Sequence, residues 1–258
     1  MYNEFINKYG LELDRLDKAV ADLEQGKKVD FNAIFVDEKL EGLEKGKNSI
    51  YNAFVERYYQ DYQRILKGIG KLPKMLVNNA LTDGCKLEYA VGGNVARGFY
   101  CPSKVIDVCV GGLKKGKLLK RPNKRSKPSF CYYFKDSRLK FVKHYVNGKE
   151  CSTEELTYSE NKIIGLEYGD ELLGISEEEY FGGNLISYKH YYVEQIDGKA
   201  DIKSDIYERY GYENGDNKPT YCDMCFNGNV YEVHRMTMRY ENGLIAGYDF
   251  ETFTKEIR

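Results

Sequence analysis

The chain has 258 residues, 42% of them hydrophobic and 31% charged, with a formal net charge of −1. This length and balance suit a folded protein with a sizeable core and exclude a disordered segment. No apolar run approaches the roughly 20 residues of a membrane-spanning helix, which sets aside a helical membrane protein.

The near-neutral total hides a strong segregation. Residues 1–110 carry 16 basic and 16 acidic side chains, residues 111–150 carry 13 and 2, and residues 151–258 carry 10 and 22. Segments of opposite sign in one chain commonly face one another across a fold.

The first stretch, MYNEFINKYGLELDRL, contains Glu4 and Asp14 and lacks the continuous apolar core of a secretory signal. Seven cysteines, odd in number and without disulfide-like spacing, read as reduced thiols. Both features lead to the expectation of a cytoplasmic protein. Leu13, Leu16, Val20 and Leu23 share one helical stripe that stops at Gly26. Ile50, Phe54, Tyr58, Tyr62, Ile65 and Leu66 form another that stops at Gly68. Between them VDFNAIFVDEKLEGLEKG shows a weaker helical periodicity, with Asp30 placed to cap it. Residues 1–72 thus read as a helical region.

From residue 73 onward the period falls to two and turn residues recur, which predicts antiparallel strands. The fold class is α+β: an N-terminal helical region, then a long antiparallel β-meander over 73–258 that can fold over as a sandwich, the whole forming one compact unit.

The segment VIDVCVGGLKKGKLLKRP (105–122) reads as a strand followed by G-x-x-x-x-G-K, the outline of a phosphate-binding loop. Leu118 stands where that motif has Ser or Thr, and Pro122 follows Lys117 too soon for a helix to form. Gly111, Gly112 and Gly116 are therefore expected in turns that link strands, with the lysines on an exposed basic loop. The stretch KKGKLLKRPNKRSK holds eight Lys or Arg in fourteen residues and is followed by the aromatic-rich PSFCYYFKDSRLKF. Lys114, Lys115, Lys117, Lys120, Arg121, Lys124 and Arg125 are accordingly candidate nucleic-acid-binding residues. Against that reading, the acidic C-terminal half would repel a polyanion.

His144, His190 and His234 lie at comparable positions in successive strands. Alternation sets each among apolar neighbours, three or four strands apart, which favours structural roles over shared zinc ligation. Cys222-x-x-Cys225 has no second pair to complete a metal site, and on a strand its two thiols face opposite sides. Acidic runs such as SEEEY (176–180) and the pair Asp201 and Asp205 are expected on solvated faces and loops. No nucleophile elbow or zinc-protease motif occurs in the sequence, and no catalytic, metal or cofactor-binding residue is assigned.

The turns themselves repeat. GGNV (92–95), GGNL (182–185) and NGNV (227–230) are each expected to open a strand, and an aromatic followed by an Asn/Gly turn recurs in YVNGK (145–149), YSENKI (158–163), YENGD (212–216) and YENGLI (240–245). Segments such as YFGGNLISYKHYYVEQIDGK and FNGNVYEVHRMTMRYENGLIAGYDF resemble the irregular YD-type or MORN-variant hairpin repeats of bacterial proteins, which include some toxin-immunity proteins. The resemblance covers at most residues 86–253. It implies a non-enzymatic protein-binding module with another protein, such as a toxin domain, as partner. The 24 tyrosines, with no tryptophan, are expected to pack across strands and, where exposed, to make an interaction surface.

Overall fold

Phe54, Tyr58, Asp61, Ile65 and Ile69 recur at helical spacing, and all five are buried along one side of a single long helix, α1 (Lys45–Ile69). The apolar stripe expected from the sequence is present, and it includes a carboxylate, Asp61, that a purely hydrophobic reading passes over. The structure is a computed structural model and describes residues 45–72, 82–109, 112–120, 126–213, 217–228 and 232–254. The helix expected over 13–26 and the weaker one before Lys45 lie outside the described residues.

After α1 come β1 (Lys86–Val91), a short helix α2 (Ile106–Cys109) and β2 (Lys117–Leu118). There follow β3 (Phe130–Lys135), β4 (Arg138–Val146), β5 (Lys149–Tyr158), β6 (Lys162–Tyr168), β7 (Leu172–Phe181), β8 (Asn184–Ile196), β9 (Lys199–Gly211), β10 (Tyr221–Phe226), β11 (Glu232–Glu241) and β12 (Leu244–Thr254). All belong to one antiparallel sheet of 12 strands in the order β12-β11-β10-β9-β8-β7-β6-β5-β4-β3-β1-β2. From β3 to β12 the sheet is the expected meander.

Its hairpins close as the turn residues demand. Asp136–Ser137, Asn147–Gly148, Gly182–Gly183, Asp197–Gly198 and Asn242–Gly243 each place two consecutive residues at positive φ between paired strand ends. That geometry matches the right-handed twist of the flanking strands.

The GGNV turn at 92–95 behaves differently. It opens a long excursion over one face of the sheet instead of a strand. Arg97 and Gly98 both take positive φ, and a Cβ on Gly98 would lie 2.4 Å from the Phe130 ring, so only glycine fits there. The expected strand at 105–110 is also replaced. Ser103 Oγ accepts the N–H groups of Val105 and Ile106 at 3.2 and 2.9 Å and so initiates α2, whose start is sealed by Val105 and Ile106 in the core. Cys101, Val105 and Ile106 join a core with Tyr188 on β8, Ile206 on β9, Met224 on β10 and Met236 on β11.

These contacts require the sheet to curl. The Phe99 N–H donates to Tyr132 Oη on β3 at 2.9 Å, and Ser103 Oγ donates to Glu208 on β9 at 2.8 Å. A flat sheet at about 4.8 Å per strand would set β3 and β9 about 29 Å apart. The four residue steps from Phe99 to Ser103 span at most about 14 Å. The strands therefore wrap round the excursion, which fills their inner side. On the opposite, outer side α1 packs through Phe54 and Tyr58 on Tyr207, Cys225 and Val233, and through Ile65 and Ile69 on Leu172, Ile175, Tyr191 and Val193. The described sheet is thus covered by a helix on one face and by an irregular segment on the other.

Because both faces are covered, consecutive strand residues are buried on opposite sides. Glu177 faces α1, where Arg64 donates to it at 2.7 Å. Glu178 faces inward to Arg97. Both are 2% exposed, which corrects the expectation that the SEEEY run is solvated. Arg97 Nε and Nη2 also donate to Glu154 on β5 at 3.0 and 2.8 Å, and Nη2 to Ser176 Oγ at 2.7 Å. On the outer side Lys189, fully buried, lies 2.7 Å from Asp61, 3.4 Å from Glu179 and 3.6 Å from Glu177. Asp205, also expected to be solvated, is buried and accepts from Tyr58 Oη at 2.5 Å and from the Gly228 N–H at 2.9 Å.

The segregated charge is resolved differently from the expected pairing of 111–150 with the acidic half. The cations on these buried carboxylates come from Arg57 and Arg64 of α1, from Arg97 and from Lys189.

Two outcomes follow for stability. Replacing Arg97 with Leu strands Glu154 and Glu178 without a cation and is expected to cost about 3–5 kcal/mol at pH 7, read by urea denaturation. A loss below about 1 kcal/mol would show that the triad is dispensable. Burial alone would raise the Glu154 pKa, but the Arg97 charge and its hydrogen bonds outweigh that effect and lower it. Its contribution is therefore present above the unfolded carboxylate pKa and is lost as pH falls.

Glu208 behaves in the opposite sense: burial pushes its pKa up to about 7 despite hydrogen bonds from Tyr210 and Ser103. The folded protein then holds a proton that the unfolded chain releases, and stability falls as pH rises from the unfolded carboxylate pKa toward 7. Glu208→Gln should remove that slope, so that its stability relative to the parent grows between pH 5 and 7. The limiting gain is about 1.4 kcal/mol per pH unit, and urea midpoints across that range check it.

Candidate functional site at the open sheet edge

The two ends of the sheet are built unlike each other. β2, at one end, is two residues long and begins with the exposed Lys117. A short edge strand with a charge on it resists further pairing. β12, at the other end, runs for 11 residues, LIAGYDFETFT, with neither Lys nor Pro, and pairs on one side only, with β11. Its outer row of backbone N–H and C=O groups meets no other described strand, which makes it a template for an incoming one.

Alternation gives β12 two distinct faces. Tyr248 and Phe250 lie opposite Met238 and Met236, whose side chains are buried in the inner core. The Phe250 ring stacks on His234 with centroids 5.1 Å apart, yet it is 48% exposed; Tyr248 is 38% exposed, and Leu244 at the hairpin is 75% exposed. Asp249 and Glu251 point to the other side. Glu251 lies opposite Arg235, but that guanidinium is bound twice by Asp223, at 2.6 and 2.7 Å. Asp249 is 3.7 Å from Arg239, with both side chains largely in solvent. The edge therefore shows aromatic surface on one face and weakly compensated negative charge on the other.

The basic segment has a different character. Lys114, Lys117 and Lys120 are exposed; Lys115 is half-buried, and its Nζ donates to the Ser103 carbonyl, tying the return limb of the excursion to its outward limb. Arg121, Lys124 and Arg125 lie outside the described residues, as does Gly111. The aromatic sequel is committed to the core: Phe130 and Tyr132 are buried, and Tyr133 lies beneath Lys143. Lys117 enters β2 and not a helix. Gly116 takes positive φ, and a Cβ there would meet the Val91 and Gly92 carbonyls at 2.7 Å. It is a close-contact glycine where the two limbs meet, not a phosphate cradle.

The three histidines lie on β4, β8 and β11, each against its own aromatic neighbour: His144 on Phe130, His190 beside Tyr192 and His234 on Phe250. Cys222 packs in the inner core and Cys225 against α1, on opposite faces. Among the described residues no group of three or more His, Cys, Asp or Glu is placed to hold a metal ion. Carboxylates do converge, at Arg97, but that cluster is sealed inside the fold. Burial also lowers the His190 pKa to about 4, so its imidazole is neutral, and neither ring nitrogen has a hydrogen-bond partner.

Comparison of the chain with protein-family models, with curated proteins and with solved structures finds no match.

Placement of the lysines yields a stability contrast. Changing Lys114, Lys117 and Lys120 to Gln is expected to move the unfolding free energy by no more than about 0.5 kcal/mol each. Lys115→Gln should cost about 1–3 kcal/mol through loss of its charged hydrogen bond. Equal effects in denaturant titrations would contradict the assigned tie between the limbs.

Proposed function

We propose that this chain is a non-enzymatic protein-binding module that captures its partner by strand addition along β12. The observation that carries the reading is the asymmetry of the sheet among the described residues: one end closed by a short basic strand, the other formed by a long strand paired on one side, with exposed Leu244, Tyr248 and Phe250. Strand addition draws affinity from main-chain hydrogen bonds and selectivity from alternate side chains. On β12 those alternate positions favour a partner strand with apolar residues toward Tyr248 and Phe250 and Lys or Arg toward Asp249 and Glu251. In its most concrete form, the module is a cytoplasmic bacterial immunity protein that neutralises a toxin domain by occlusion. The resemblance of its hairpins to YD-type and MORN-variant repeats supports that form, as does the meander they build.

The test is a pull-down with the protein encoded next to it, using the parent chain and a Tyr248→Lys/Asp249→Lys/Glu251→Lys variant. Capture by the parent, protection from the neighbouring toxin, and a loss of affinity of at least tenfold in the variant are expected. The proposal falls if no neighbouring toxin is bound or neutralised. Binding untouched by the β12 changes would remove the edge as the interface.

A further inference from the structure

A row of side chains crosses the outer face of the sheet from β6 to β12, each residue the direct cross-strand partner of the next. Lys162 pairs with Glu179, Glu179 with Ser187, Ser187 with Arg209, Arg209 with Asp223, Asp223 with Arg235 and Arg235 with Glu251. Opposite charges at such positions attract, and two links are close ion pairs: Lys162 to Glu179 at 2.7 Å and Arg235 to Asp223 at 2.6 Å. The alternation of sign breaks once, at the small neutral Ser187. Beside that break Arg209 is left over, because the carboxylate opposite it is bound through both oxygens by Arg235. Arg209 is exposed and makes no ion pair among the described residues.

A depression of about 510 Å³ opens over the break, lined among others by Arg57, Gln60, Glu179, Ser187, Tyr207 and Arg209. That volume suits a small organic molecule. The Ser187 hydroxyl is buried and has no hydrogen-bond partner, a state that is unfavourable unless something satisfies it. The lining carries Arg57 and Arg209 against Glu56 and Glu179. Glu179 is already met by Lys162, Lys189 and Arg57 at 2.7, 3.4 and 3.6 Å, which leaves Arg209 available to an incoming anion. Arg57 is held loosely, at 3.3 Å from Asp61 and 3.6 Å from Glu179.

We infer that this groove between α1 and strands β7 to β9 is a binding site for a small organic oxyanion, a phosphate or carboxylate group held by Arg209 and Arg57 with Ser187 in the floor. Paired guanidinium groups recognise such planar or tetrahedral oxyanions through forked hydrogen bonds. The site is separate from the β12 edge and does not depend on the function proposed for it.

Titrations of the whole chain with inorganic phosphate, phenyl phosphate and succinate, at constant ionic strength against chloride, test the inference. Thermal unfolding and amide chemical shifts are the readouts. A saturable rise in Tm with at least one probe is expected, with shift changes centred on β8 and β9; the phosphate and succinate arms distinguish the two oxyanions. Arg209→Gln should weaken binding at least tenfold. Ser187→Ala provides the control on structure: removing an unsatisfied hydroxyl leaves the free protein as stable or more so, while affinity falls about threefold to tenfold. No saturable response to any of the three probes overturns the inference, as does a response that neither substitution changes.

Discussion

A single guanidinium, that of Arg97, gathers Glu154 from β5 and Glu178 from β7, with Ser176 between them, and the rest of the architecture is arranged round that contact. Two carboxylates and one arginine removed from water would be unfavourable without further hydrogen bonds. Ser176 supplies one to Glu154 and Tyr180 one to Glu178. Arg97 reaches the site only because it and Gly98 adopt a left-handed conformation that turns the excursion inward. Once there, the excursion delivers Cys101, Val105 and Ile106 to strands that a flat sheet would hold out of reach. The curl of the sheet, the inner core and the buried charge are thus one interdependent arrangement.

The abundance of tyrosine and the excess of carboxylates in the second half are connected through hydrogen bonds. Tyr58 donates to Asp205 and Tyr210 to Glu208, two acids that make no ion pair among the described residues, and Tyr180 donates to Glu178. Each phenol brings a large apolar ring to the core and a neutral donor at its tip. A fold with few basic residues in that region can therefore bury acids without pairing each one with a cation. The same donors are too weakly acidic to ionise there: burial and the adjacent Asp205 carboxylate raise the Tyr58 pKa.

Local rules made much of this legible. The stripe from Phe54 to Ile65 identified α1, and the Asn-Gly and Gly-Gly pairs located hairpins, because both depend on short-range geometry. The excursion was hidden because its residues look like those of a turn and a strand; what sets 105–109 apart is Ser103, a capping residue whose N–H partners lie two and three positions on. The burial of the acids escapes local rules for a simpler reason. Three consecutive glutamates on one strand must divide between its faces, and solvation of all three requires both faces to be open. With α1 packed on one side, that condition fails. Arg97 itself carried no local pattern, since its partners are 57 and 81 residues away.

The division of β7 between two faces also bears on how the strand finds its place. Glu177 answers Lys189 and Arg64 on one side, and Glu178 answers Arg97 on the other. Were the strand to slide by a single position, Glu178 and Glu179 would offer the same carboxylates to the same cations. The slide would instead be felt at the end of the run, where Tyr180 would replace Glu179 opposite Lys162. The uncharged residues before the run add to that. At Gly174 a Cβ would come within 3.1 Å of His190 Nε2, so a larger residue in that slot would have to displace the imidazole, and Ile175 fills the apolar space beneath α1. The address of β7 is written at both ends of its acidic run, in Gly174 and Ile175 before it and in Glu179 at its close.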